Sequence, residues 1–186
     1  FPYTTLFRSI RVNSQSGKSG SAWLIEQNHG LKLPRALQQD FSQHVQQETD
    51  RHGKEMTQNA LWQLFRTRYG LVATPQFALQ SYRSDSQQDG QLRLTASIAT
   101  RGGTRQLEGQ GNGLLSAAAH GLSRWVNAPF VIKDYHEHTL GERSDSRSVA
   151  YIRCLFQDGS SRWGVGIDSD VARASLQALL NAVSRS

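Results

Sequence analysis

Two stretches of this chain alternate glycine with other residues and then become rich in Ala and Leu. Together they restrict the fold more than any other feature. The first is Gly109-Gln-Gly111-Asn-Gly113, followed by Leu114 to Leu122; the second is Gly164-Val-Gly166-Ile-Asp168, followed by Val171 to Leu180. Leu115 to Val126 has apolar residues at helical spacing, so each stretch predicts a strand end, a tight turn and a helix start. Glycine serves such a place by taking backbone angles closed to other residues, or by letting another group approach the main chain. A helix start also offers N–H groups without intrahelical partners and a positive dipole end, which suits a carboxylate or phosphate. Gly111 in the first copy, and Gly166 with Asp168 in the second, are therefore candidate anion cradles. The repetition points to an internal duplication.

Reading outward, Phe77, Leu79 and Tyr82 predict a first strand, Gln87 to Gly90 a turn, and Leu92, Leu94, Ala96 and Ile98 an alternating second strand. A third strand around Gln106 to Gly109 leads into the first helix. After Pro129 the order repeats: strands over Val131–Leu140 and Ser148–Phe156, a hairpin turn over Gln157–Ser161, a third strand over Arg162–Ile167, and the last helix. Two tandem strand-strand-strand-helix units, 76–127 and 128–186, predict an α+β fold in which the units pack together and across a dimer. Upstream lie three short helices: Ala22–Asn28 stopped by Gly30, a second opened by Pro34 with Leu37, Phe41, Val45 and Thr49 on one face, and a third capped by Thr57 with Leu61, Leu64 and Phe65 buried. A polar break at Asp50–Lys54 separates the last two. The helical part is expected over residues 10–70, a linker over 71–75, and residues 1–9 as a non-native expression or read-through scar.

The 186 residues suffice for one ordinary domain or a small domain with an appendage. With 37% apolar and 19% charged residues the chain is expected to fold. No apolar run approaches the ~20 residues of a membrane span. The net charge is +6, but the arginines are scattered, so neither membrane nor nucleic acid is expected as a partner. The lone Cys154 excludes an intrachain disulfide framework and fits a reducing, cytoplasmic setting. Lying among Tyr151, Ile152, Leu155 and Phe156, it reads as a buried strand position rather than a nucleophile.

Other motifs carry less. Gly17-Lys-Ser resembles the end of a phosphate loop, but Val12 stands where that loop needs its first glycine. His136 and His138 share one face of a predicted strand, yet spacing offers no third ligand, so no metal site is assigned. Gly109, Gly111 and Gly113 do not fit the dinucleotide spacing. Trp23, Trp62, Trp125 and Trp163 read as core or interface anchors. No catalytic constellation emerges.

A set of separated motifs does carry a specific likeness: Ile10-Arg-Val-Asn-Ser-Gln-Ser-Gly-Lys18, Leu33-Pro-Arg35, Gly111-Asn-Gly113, Asp134-Tyr135, Glu137-His138, Trp163-Gly-Val-Gly-Ile167 and Ala174-Ser-Leu176, in one order. The sequence from Ile10 onward resembles the C-terminal portion of 2-isopropylmalate synthase. That family condenses acetyl-CoA with 3-methyl-2-oxobutanoate on a metal-dependent barrel, and helical subdomains join the barrel to a leucine-binding regulatory domain. The resemblance implies connecting helices plus a sensor at 76–186, a homodimer, leucine as effector, and no cofactor in this part; the divalent metal belongs to the barrel. It places the leucine pocket at Asn112, Gly113, Leu115, Ser116, Ile132, Tyr135, Thr139, Ser146 and Ser148. Leu114 replaces a common Pro, and Thr139 and Ser146 replace small apolar residues. Alternatives are the sensor of a related condensing enzyme such as citramalate synthase, which responds to isoleucine, or a freestanding amino-acid- or nucleic-acid-binding module.

Overall fold

The computed structural model describes residues 20–141 and 144–184. The expected scar and the Gly17-Lys-Ser motif lie outside them. The chain divides into two compact units, one ending at Arg66 and one beginning at Thr67.

The first unit is helical. Helix α1 spans Gly20–His29, α2 spans Arg35–His52, and α3 begins at Gln58 and ends at Tyr69. The four residues expected on one face of α2, Leu37, Phe41, Val45 and Thr49, are all buried. Spaced four apart, they form a single apolar stripe. The polar break begins later than composition suggested, because α2 continues through Asp50 to His52. It ends at Gly53, whose φ of +63° closes the helix with an N–H bond to the Thr49 carbonyl. Thr57 caps α3 by accepting from the Ala60 N–H at 3.1 Å. Leu61 and Phe65 are buried on α3, whereas Leu64 is only half-buried. Phe65 meets Phe41 edge-on at 5.1 Å. Trp62 stacks on His29 at 3.7 Å, but Trp23 is 52% exposed and anchors no core here.

The second unit contains β1 (Ala78–Ser86), β2 (Leu92–Thr100), β3 (Gly103–Gly111), α4 (Leu114–Trp125), β4 (Phe130–Leu140), β5 (Arg147–Phe156), β6 (Ser161–Asp168) and α5 (Val171–Val183). The strands form two antiparallel sheets, ordered β1-β2-β3 and β4-β5-β6, so the chain is α+β and its strand-strand-strand-helix order occurs twice. One core joins both copies. Leu94, Ile98 and Leu107 from the first sheet, Ala117 and Leu122 from α4, Ile152, Cys154 and Phe156 from the second sheet, and Leu176, Leu179 and Leu180 from α5 belong to it. Each large aliphatic or aromatic side chain so buried contributes about 1.5–3 kcal/mol. Neither three-stranded sheet could supply that burial alone, which is why the copies pack together. Burial also pushes the Cys154 thiol up to about 12, so it remains a protonated core residue at neutral pH.

Of the two roles open to the alternating glycines, unusual backbone angles or close approach to the main chain, the structure shows the second. Gly109 and Gly111 lie within β3, and Gly164 and Gly166 within β6; none of the four has positive φ. A Cβ at Gly109 would stand 1.9 Å from the Ala117 carbonyl oxygen, and one at Gly166 would stand 2.1 Å from that of Ala174. In each copy the strand's glycines thus face small residues on the following helix, Ala117 and Gly121 on α4, Ala174, Ala178 and Ala182 on α5. At Gly111 and Gly166, expected as parts of anion cradles, the missing Cβ makes room for the backbone of the following helix. The duplication is a repeated close seating of helix on strand.

Candidate functional site

The two helix starts, alike in sequence, differ in how their N–H groups are satisfied. At α5, the Asp170 side chain caps the helix by accepting from the Ala172 N–H at 2.9 Å. Asp168 accepts from the Asp170 N–H at 3.0 Å and faces the Arg173 guanidinium at 3.6 Å. The positive end of α5 is therefore already neutralised by the protein's own carboxylates, and Asp168 is a poor element of an anion cradle. At α4 the N-cap is Gly113, and no side chain caps the helix. Its extended φ of −165° is open to any residue, so glycine is not required there for backbone conformation. A Cβ on Gly113 would meet nothing within 4 Å. The α4 start thus lacks a side-chain cap and borders open space at Gly113, and a helix N-terminus is a place where carboxylate binding is favourable.

That open space is a pocket of about 370 Å³ between the starts of α4 and α5 and the middle of β4. Gly113, Leu115, Ser116 and Tyr135, all expected from the sequence, line it; Leu114, Glu137, Val171, Ala172 and Ser175 complete it. Tyr135 and Glu137 are two apart on β4 and so share a face. The Tyr135 hydroxyl lies 2.5 Å from Glu137 Oε2 and 2.9 Å from Ser175 Oγ. Partial burial, then the hydrogen bond to Glu137, hold the Tyr135 phenol above its ordinary pKa, so it stays protonated at neutral pH. The pocket therefore offers three chemistries: N–H groups for an anion, the Glu137 carboxylate for a cation, and Leu114, Leu115, Val171 and Ala172 as apolar wall.

The remaining expected residues are not on the wall of this pocket. Asn112 accepts a 3.2 Å hydrogen bond from the Ser116 hydroxyl just before the helix. Ile132 packs against the core opposite Cys154. A bulge between Ile132 and Asp134 places Ile132 and Tyr135 on one face, although three residues apart. Thr139 pairs with Ser148, which pairs with Asp168, forming a row beyond Glu137 on that face. Ser146 lies at the following turn, near Gly141. His138 uses its Nε2 on the Tyr151 hydroxyl at 2.8 Å. Among the described residues, no three His, Cys, Asp or Glu side chains stand together as a metal set. No described helix is long and apolar enough to cross a membrane.

Ser175, Val171 and Ala172 went unassigned because they belong to the second copy's helix, more than fifty residues from the first copy's turn. The duplication itself was the usable signal, since a pseudo-symmetric pair can bring equivalent helix starts together.

Fold and site define a duplicated α+β module that frames a small polar-and-apolar pocket between its two helix starts. The chain belongs to the LeuA allosteric (dimerisation) domain family, whose model matches residues 55–186. It is 47% identical to the 2-isopropylmalate synthase of Marinomonas sp. strain MWYL1, over 93% of this chain and 31% of that protein. The 2-isopropylmalate synthases of Rhodospirillum rubrum and Thermobifida fusca are 40% and 39% identical, over 94% and 95% of this chain and 32% and 30% of theirs. The resemblance drawn from the motifs is thus borne out. The chain spans about a third of the length of these curated relatives.

Proposed function

We propose that this chain is the regulatory part of a 2-isopropylmalate synthase and that its pocket receives leucine as feedback effector. The uncapped start of α4, which lines one pocket together with Glu137 and apolar side chains, carries this reading. A free aliphatic amino acid has a carboxylate, an ammonium and a branched side chain, and the three chemistries of the pocket match them one for one. Condensation of acetyl-CoA with 3-methyl-2-oxobutanoate is assigned to the remainder of the enzyme, and sensing to residues 76–186, in units 76–127 and 128–186. The cytoplasm, where branched-chain amino acids are made, is the compartment this reading implies.

Leucine at a hundredfold excess over its dissociation constant should raise the melting temperature by on the order of 5–10 °C, since binding to the folded form alone stabilises it. Glu137→Gln should weaken binding by roughly 10–100-fold, as loss of a charge-assisted hydrogen bond costs about 1.5–3 kcal/mol. An unchanged affinity in that variant would remove Glu137 from the ammonium site.

The chain is also assigned a homodimeric state. Each sheet ends in edge strands with one side unpaired by another strand, β3 and β4 among them, and such edges favour a partner. Sedimentation velocity at tens of micromolar, where specific interfaces persist, should give a dimer; a monomer alone would contradict this assignment.

A further inference from the structure

Helix α5 divides its surface between two partners. Val171, Ala172 and Ser175 face the pocket, whereas Arg173, Gln177 and Asn181, spaced four apart, form a polar row along the helix. All three side chains of that row bind backbone groups of residues 70–80. Arg173 Nη2 donates to the Leu79 and Gln80 carbonyls at 3.2 and 3.3 Å. Gln177 Oε1 accepts from the Leu79 N–H at 2.9 Å, and its Nε2 donates to the Phe77 carbonyl and to Asn181 Oδ1, both at 2.9 Å. Asn181, 2% exposed, donates through Nδ2 to the Gly70 carbonyl at 3.2 Å and the Val165 carbonyl at 2.8 Å. Gly70 has a φ of +86°, and a Cβ there would fall 2.5 Å from Asn181 Cγ, so glycine alone fits the contact.

β1 is an edge strand, and Leu79 turns its N–H and carbonyl away from β2 toward α5. The side chains of α5 stand where another strand would pair. The β1 bulge between Leu79 and Ser81 falls where Arg173 takes two successive carbonyls. The linker expected over 71–75 is therefore held on both sides, at Gly70 and at Phe77–Gln80, to the helix that begins at the pocket. Edge protection would require only the contacts at Phe77 and Leu79. It does not account for the continuation through Asn181 to Gly70.

We infer that the Arg173–Gln177–Asn181 row is the link by which an occupant of the pocket acts on residues 70–80, the stretch through which the chain passes from helices into sheets. This rests on the pocket assignment above. A ligand against Val171, Ala172 and Ser175 bears on the first turns of α5. Arg173 lies in those turns, and a helix moves as a rigid element, so displacement there reaches Leu79, Phe77 and Gly70 together. Arg173, Gln177 and Asn181 are positioning residues and touch no ligand themselves.

Amide hydrogen exchange of the full chain, resolved by residue, tests the link. Leucine should slow exchange across Phe77–Gln80 by about fivefold or more in the wild-type chain, the lower end of ordinary coupling between sites. In Gln177→Leu, and in the milder Arg173→Met, leucine should bind with unchanged affinity by calorimetry while that slowing disappears. Slowing of equal size in both variants, or none in the leucine-bound wild type, would overturn the link. Should leucine fail to bind the wild type, the pocket reading falls and the link is tested without ligand. Ser175→Val, which crowds the pocket end of α5, should then alter Phe77–Gln80 exchange in the wild-type background but not in Gln177→Leu. Equal effects in the two backgrounds would refute it.

Discussion

Gly109→Ala is expected to lower the melting temperature by roughly 6–12 °C, taking about 3 kcal/mol for severe overpacking and 2–4 °C per kcal/mol for a chain of this size. The added methyl would stand 1.9 Å from the Ala117 carbonyl oxygen and 3.0 Å from the Gly121 N–H. Both obstacles are backbone of α4, so no side chain can rotate away and the helix must lift from the strand. Gly164→Ala should behave alike, because its Cβ would lie 2.1 Å from the Ala178 carbonyl oxygen and 2.3 Å from the Ala182 nitrogen. Gly113→Ala is the internal control. Its Cβ meets nothing within 4 Å and its φ is extended, so the change should stay within about 0.5 kcal/mol, as at ordinary exposed positions. Thermal melts of the three variants without ligand measure this directly. Gly109→Ala as stable as wild type would show that the close seating of helix on strand is wrong.

That contrast also explains what the sequence could and could not disclose. The period of two at Leu94, Ala96 and Ile98 and the four-residue spacing from Leu37 to Thr49 translate directly into burial, because each element hides one face. The alternating glycines are legible as a strand–helix junction with two possible roles, a ligand cradle or close packing of helix on sheet, and spacing alone does not choose between them. Composition cannot say whether a missing Cβ faces solvent, a ligand or another backbone. Only the packed positions of Ala117 and Ala174 decide it. Likewise Gly113 and Asp170 are the N-caps of the two helices, yet Asp168 and Asp170 neutralise one helix start while the other remains uncapped. The β4 bulge put Ile132 and Tyr135 on one face against simple alternation. Ser175 and Glu137 complete the pocket only through tertiary pairing of the two copies.

The largest functional effect is expected at Gly113, where stability and binding should separate. Gly113→Val adds three carbon atoms at the mouth of the pocket, beside the N–H groups assigned to the ligand carboxylate. Extended backbone tolerates valine well, and the open space there spares the fold. Leucine affinity should nevertheless fall by about a hundredfold, corresponding to ~3 kcal/mol of overpacking within the complex. Tyr135→Ala should weaken binding too, since it removes a wall and the partner of Glu137 and Ser175. Arg101→Ala, remote from the pocket lining, should not. Isoleucine and valine differ from leucine by the position or absence of one carbon, and an apolar pocket discriminates such changes by only about 1–3 kcal/mol. They should bind, more weakly.

Isothermal titration of the folded chain with leucine, isoleucine and valine tests the central claim most directly. Saturable binding strongest for leucine, and weakened about a hundredfold in Gly113→Val at unchanged melting temperature, is the predicted result. No heat with any of the three amino acids, from a protein shown to be folded, would contradict it.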